Sequence, residues 1–127
     1  MFFLYDGRML PTEYRLKKEE EIKTLFKKGR SVFDRLVGVK VRKNGLKNSR
    51  FVVIVGVKVH KRAIRRNRIR RQIRSILLEH LSHVPTGFDI GIIALPAITT
   101  ATFDEIQTST LSALKRARML LPTPPKL

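Results

Sequence analysis

Between Lys58 and Arg74 the chain carries Lys58, His60, Lys61, Arg62, Arg65, Arg66, Arg68, Arg70, Arg71 and Arg74, with Asn67 in their midst. These side chains bind anions; they do not break bonds. Arginine forks grip phosphate oxygens in pairs and stack on bases, and the Asn67 amide both donates and accepts, so the set suits a folded RNA with exposed bases. The plainer reading of a charge run is a solvated helix face. That reading fails on electrostatics, because seven arginines from Arg62 to Arg74 precede the first carboxylate, Glu79, and no i,i+4 partner relieves their repulsion.

The other chemistry-bearing residues are weaker candidates. His80 and His83 stand one helical turn apart but have no third ligand in sequence, so capping or solvated histidines are expected rather than zinc. Glu19, Glu20 and Glu21 point in different directions on a helix and read as a solvated first turn. Gly56 and Gly91 are isolated within strand-like runs, which makes them sites of close packing and not a phosphate loop. Serine, threonine, histidine and aspartate occur in no spacing known for nucleophilic or acid-base catalysis. With no cysteine, a thiolate zinc site, a disulfide and a cysteine nucleophile are all excluded.

These residues need elements to position them. Leu16 to Lys28 spaces Leu16, Ile22, Leu25 and Phe26 for one helical face, and Gly29 is placed to end that helix in a left-handed conformation. Ser31 to Arg42 alternates valines with polar residues, as a half-covered strand does, and Asn44-Gly45 marks a turn. Arg50 to Lys58 is a near-continuous β-branched run, expected of a central strand buried on both faces. Lys61 to His83 reads as the second helix. Its apolar stripe of Ile69, Ile73, Ile76, Leu77 and Leu81 leaves Asn67, Arg70, Arg71 and Arg74 on the far side. Phe88 to Leu95 alternates again until Pro96, and Thr102 with Glu105 has capping-box spacing at the head of a third helix.

The composition bounds the whole. The 127 residues suit one domain, and 27 Lys and Arg against 10 Asp and Glu leave +17, with 43% hydrophobic residues to fill a core. Charge of that size is relieved by a bound polyanion. Nucleic acid fits better than a membrane surface, for which no amphipathic stretch is evident, and Met1 to Tyr5 is too short for a signal or a span, so a cytoplasmic location is expected. Residues 1–12 are expected to be a flexible head, with Met1 and Met9 both open as starts. A domain over 13–118 follows, then a disordered proline-rich tail over 119–127. The fold class is α+β, a single-domain sandwich with helices packed on one small sheet.

Arg50-Phe51 entering a valine strand, Lys58, Ala63-Ile64 and above all Arg66-Asn67-Arg68-Ile69-Arg70-Arg71-Gln72-Ile73-Arg74 resemble the protein subunit of bacterial ribonuclease P. Leu16-Lys17-Lys18 and the run from Leu25 to Val32 look like that family's first helix and following strand, so the resemblance spans Tyr14 to Arg118. It implies an αβββαβα order with a small mixed sheet covered by helices, a fold like the second domain of ribosomal protein S5, with a left-handed crossover. It also implies a ribonucleoprotein endonuclease that removes the 5′ leader of precursor tRNA, in which a magnesium-dependent catalytic RNA does the chemistry and the protein, a monomer, assists. Carried over by position, Lys58, Arg62, Arg65, Arg66, Asn67, Arg68, Arg70, Arg71 and Arg74 would contact the RNA, and Ile22, Phe26 and Lys40 would line the leader cleft. Where the family has an aromatic one turn before Phe26 this chain has Ile22, and where it has a lysine pair and a glycine before the helix this chain has Lys58-Val59 and Lys61. A ribosomal or ribosome-assembly RNA-binding protein, or a DNA-binding protein using the arginine helix, would carry similar charge.

Overall fold

A computed structural model describes residues 10–124. The elements are α1 (Glu19–Lys28), β1 (Arg30–Phe33), β2 (Val37–Lys43), β3 (Arg50–Ile54), α2 (Ala63–Glu79), β4 (Phe88–Ala94) and α3 (Phe103–Arg116), with short 3-10 turns at Thr12–Tyr14, Leu81–His83 and Pro96–Thr100. This is the expected αβββαβα order.

The valine-rich stretch from Ser31 to Arg42 is a hairpin and not one strand. Asp34 turns the chain, its N–H donating to the Val37 carbonyl at 2.8 Å, and β1 returns antiparallel as β2. The sheet order is β1-β2-β4-β3, with β2 antiparallel and β3 parallel to β4. The parallel neighbours β3 and β4 need a crossover, and α2 supplies it.

Two expectations about β3 are corrected. The strand ends at Ile54, and it lies at the sheet edge, not the centre. Its free side is covered by the segment before α1: Leu16 N–H donates to the Phe51 carbonyl at 2.9 Å, and Arg15 bridges Phe51. A covered edge accounts for the apolar run as well as a central position does. Gly56 consequently lies outside any strand, and a side chain there would meet open space.

Each face of the sheet has its own cover. Val37, Val39 and Val41 of β2, Ile90, Ile92 and Ala94 of β4, and Phe51 and Val53 of β3 point to one side. There they bury against Ile69, Ile73, Ile76 and Leu77 of α2 and Ile106, Ala113 and Leu114 of α3 in one cluster. The predicted α2 stripe is therefore the core stripe, apart from Leu81, which packs half-buried at its edge. The capping box at Thr102 forms in full: its Oγ1 accepts from Glu105 N–H at 3.2 Å while Glu105 Oε1 accepts from Thr102 N–H at 2.9 Å. Gly29 ends α1 in an extended conformation (φ −73°, ψ 153°), not a left-handed one. Its lack of a side chain matters for another reason, since a Cβ would fall 2.6 Å from the Leu25 carbonyl and 3.0 Å from that of Val41.

Packing runs past both expected domain boundaries. Leu10 and Met119 are buried in the core cluster, and Leu121 N–H donates to the His83 carbonyl at 2.8 Å. The rest of the expected head, residues 1–9, and the tail's last three residues lie outside the described residues.

Candidate nucleic-acid interface

The helix α2 starts beyond the end of the sheet. Thr99, in the turn after β4, donates to the Val59 carbonyl at 2.7 Å, so the loop into α2 is tied to the Ala94 end of the strands. The first turn overhangs the core there: Arg62, Ala63, Ile64 and Arg65 are all exposed, Ile64 by 72%. Further on, Asn67, Arg68 and Arg71 are exposed and Arg66, Arg70 and Arg74 half-buried, with Lys58 exposed in the turn before the helix. The cations thus surround the first turn and narrow to a single face only after Ile69 enters the core. The sequence periodicity alone suggests one face throughout.

Several of these side chains are held in place. Arg66 Nη1 donates to the carbonyls of His60 at 3.0 Å and Lys61 at 2.8 Å, closing the loop onto the helix. Arg62 N–H donates to His60 Nδ1 at 3.0 Å, and Arg70 Nη1 to Asn67 Oδ1 at 2.5 Å. Burial first, then the charges of Arg70 and Arg15, lowers the basicity of Arg74, although a guanidinium stays protonated through such a shift. Among the described residues, none of Arg62, Arg65, Arg66, Arg68, Arg70 and Arg71 is ion-paired to a carboxylate. There is no acid in the first turn of α2, so its cations sit at the positive end of the helix dipole. That arrangement is unfavourable for the free helix and favourable for an anion placed against it.

The other sheet face is only partly covered. Helix α1 crosses the end where Arg50 Nε and Nη2 bind Asp89 Oδ1 and Oδ2, each at 2.9 Å, and Arg50 Nη1 reaches Glu21 Oε1 at 3.2 Å. The Asp89 carboxylate is the main cause that raises the Arg50 pKa. Glu21 is therefore a structural partner, whereas Glu19 and Glu20 are solvated as expected. Gly91 lets α1 sit close, for a Cβ there would lie 3.1 Å from Phe26 Cζ and 3.2 Å from Leu25 Cδ2.

Beyond α1 the face is open. Ser31, Lys40, Gly91 and Val52 form one cross-strand row, and Phe33, Gly38, Ile93 and Ile54 the next. Ile22 and Phe26, one turn apart on α1, are half-buried beside these rows, as are Lys40, Val52, Ile93 and Ile54. Phe26 meets Gly91, the cross-strand partner of Lys40, and Ile22 lies one turn earlier on α1, toward β3, where Glu21 meets Arg50. The open end of this face is the end where α2 begins. Sequence reasoning missed Phe33. Its ring covers Gly38, where a Cβ would lie 2.6 Å from Cε1, yet Phe33 is 56% exposed. The signal was available: an aromatic paired across strands with a glycine is a recurrent device, legible once the hairpin register is known.

The histidines hold backbone. His80 Nδ1 lies 3.0 Å from the Ile76 carbonyl and His83 Nδ1 3.0 Å from that of Leu121. Among the described residues no three His, Asp or Glu side chains converge to form a metal cage.

Fold and surface define the class, a small basic α+β domain whose exposed cations gather on one helix beside a half-open sheet face. The ribonuclease P family model matches residues 10–118. The ribonuclease P protein component of Brevibacillus brevis is 32% identical over 111 residues, covering 87% of this chain and 88% of the relative. A solved structure of the Staphylococcus aureus ribonuclease P protein superposes with a TM-score of 0.79 at 33% identity, covering 84% of this chain and 97% of that one. The protein from Thermotoga maritima does so at 0.73 and 31%, covering 80% and 96%. This chain belongs to the ribonuclease P protein family, whose members are the protein components of a tRNA-processing ribonucleoprotein nuclease.

Proposed function

We propose that this chain works in the cytoplasm as the monomeric protein subunit of ribonuclease P, gripping the catalytic RNA with α2 and the 5′ leader of precursor tRNA with the open sheet face. One observation carries the reading: the exposed cations of the first turn of α2 and the mouth of the cleft lie at the same end of the sheet. A strand lying along Phe26, Lys40 and Val52 would leave the cleft beside those cations.

The protein's contribution on this reading is to bind and to screen. Lys58, Arg62, Arg65, Arg68 and Arg71 offset phosphate repulsion where two RNAs approach, and Arg66, Asn67, Arg70 and Arg74 form the ordered side of the same surface. Phe26 offers a ring and Ile22 an apolar contact to unpaired bases, while Lys40 meets their backbone. Magnesium, held mainly by the RNA subunit and the substrate on this reading, would supply the hydrolytic chemistry.

The decisive experiment is reconstitution of the full chain with a ribonuclease P RNA at low magnesium. Faster cleavage of precursor tRNA at its mature 5′ end is the expected result. No enhancement would overturn the reading and leave an RNA-binding protein of ribosomal type, and tighter binding to duplex DNA than to structured RNA at one salt concentration would leave a DNA-binding protein.

A further inference from the structure

At the opposite end of the sheet from the start of α2, a groove of about 540 Å³ is rimmed by Lys28, Arg30, Arg42, Lys43 and Arg118. All five are exposed. We propose that this groove is a second RNA-binding site, one that takes a phosphodiester backbone. The proposal rests on the reading of the chain as an RNA-binding subunit and adds a contact which that reading does not contain.

Three observations carry it. The first is charge without compensation. No carboxylate lines the groove, and among the described residues none of the five cations forms an ion pair. The nearest acid in sequence, Asp89, points to the other face of the sheet, where Arg50 and Asn44 already bind it. Its cross-strand neighbour Arg42 also lies there, near Glu20 and Glu21, which leaves Lys28, Arg30, Lys43 and Arg118 as the groove's uncompensated cations. Four like charges around one concavity repel one another in the free protein, and a polyanion relieves that repulsion. The second is shape, since the half-buried Phe88, Pro85 and Leu121 give the groove an apolar floor that can take the face of a sugar or base while the rim meets phosphates.

The third is the backbone of Arg118. Helix α3 ends in a Schellman motif, with Arg118 N–H donating to the Lys115 carbonyl at 3.0 Å and Met119 N–H to that of Leu114 at 2.8 Å. The residue between must be left-handed, and Arg118 has φ of +64°, alone among the described non-glycine residues. Glycine is the residue this position favours. An arginine strained into it keeps a cation on the rim of the groove.

The groove is not an extension of the surface around α2. Phe88 on its floor begins β4, and the loop into α2 is anchored past Ala94 at the other end, so the two cationic regions stand about 20 Å apart along the strand. An RNA that engages both must span the domain, and two separate strands could engage them as well.

The test uses the full chain and two sets of substitutions. One changes the groove (Lys28→Gln, Lys43→Gln, Arg118→Gly), the other α2 (Arg65→Gln, Arg68→Gln). Affinity is measured between 50 and 200 mM salt for ribonuclease P RNA alone and for precursor tRNA on the assembled enzyme. We expect the groove variant to lower the log-log salt slope by about 2, at roughly 0.7 per lost phosphate contact. Loss toward the catalytic RNA alone would assign the bound strand to that subunit, and loss seen only with precursor tRNA would assign it to the substrate; either supports the site. Wild-type slopes for the groove variant, beside a reduced slope for the α2 variant, would eliminate the groove and leave the proposed function standing. Wild-type slopes for both would remove the RNA-binding reading and the groove with it. The single variant Arg118→Gly guards against misfolding: it relieves the left-handed strain, so it should melt no lower than wild type while its slope falls by about 0.7.

Discussion

At the scale of single residues the open sheet face turns on Phe26 and Phe33. Phe26 was carried over from the family resemblance, spacing alone giving only its place on the apolar face of α1, and the structure puts it over Gly91, the cross-strand partner of Lys40. Phe33 was not legible, because the sequence from Ser31 to Arg42 reads as one alternating strand. A closer sign was the change of phase between Val32, at an even position, and Val37, Val39 and Val41, at odd ones, which a strand without a turn cannot sustain. Phe33 is fixed from behind: Arg116 Nη2 donates to its carbonyl at 2.7 Å and to Asp34 Oδ2 at 2.9 Å, which leaves the ring free on the other side. A base stacked on an aromatic contributes about 1–3 kcal/mol. Phe33→Ala should therefore weaken binding of a leader-bearing precursor tRNA by roughly 5- to 150-fold, with little change in melting temperature because the ring is largely solvated. Equal losses for mature tRNA, which has no leader, would take Phe33 out of the cleft.

At the scale of elements the cleft depends on how α1 and the β1–β2 hairpin are seated. The existence of α1, α2 and α3 followed from apolar spacing and the Thr102 capping box. The sheet order did not, since a β-branched run looks the same whether another strand or the Arg15–Leu16 segment covers its edge. Nor did the partnership of Glu21 with Arg50, which joins residues far apart in sequence. Asp34 seats the hairpin: its Oδ1 accepts from Arg35 N–H at 2.7 Å and Ser109 Oγ at 2.8 Å, and Ser109 Oγ accepts from the buried Leu36 N–H at 3.0 Å. The Arg35 N–H foremost, and Ser109 next, lower the Asp34 pKa to about 2. The folded form thus holds this carboxylate ionised where the unfolded chain, with an ordinary value near 3.8, takes up a proton. Asp34 contributes stability in full above about pH 4, and the contribution is lost as pH falls toward 2. In Asp34→Asn, stability measured by urea unfolding should vary less between pH 4 and 2 than in wild type. The difference should be about 1 kcal/mol, because the Arg116 side of the carboxylate is open to water. An identical pH profile would show that the hairpin is held by packing alone.

For the whole molecule the excess of +17 acts in opposite directions on folding and on binding. In the free protein the cations of α2 and of the Lys43 groove have few acidic neighbours, so compaction works against their repulsion while the apolar cluster between the sheet and α2 and α3 works for it. Added salt screens that repulsion and should raise the melting temperature of the isolated chain from 50 to 200 mM. The same salt competes with the protein for phosphates, and a surface making about 6–10 phosphate contacts loses roughly 10³- to 10⁵-fold in affinity across that range. Stability rising while RNA affinity falls is the signature of charge retained for binding at a cost to the fold. A melting temperature that is flat in salt would mean that the cations are far enough apart to be solvated one by one, and that relief of their mutual repulsion adds nothing to RNA affinity beyond the direct contacts. Arginine supplies so much of the charge on α2 because each guanidinium fork can still be oriented by a carbonyl or amide, as Arg66 and Arg70 are, while it keeps further donors for phosphate.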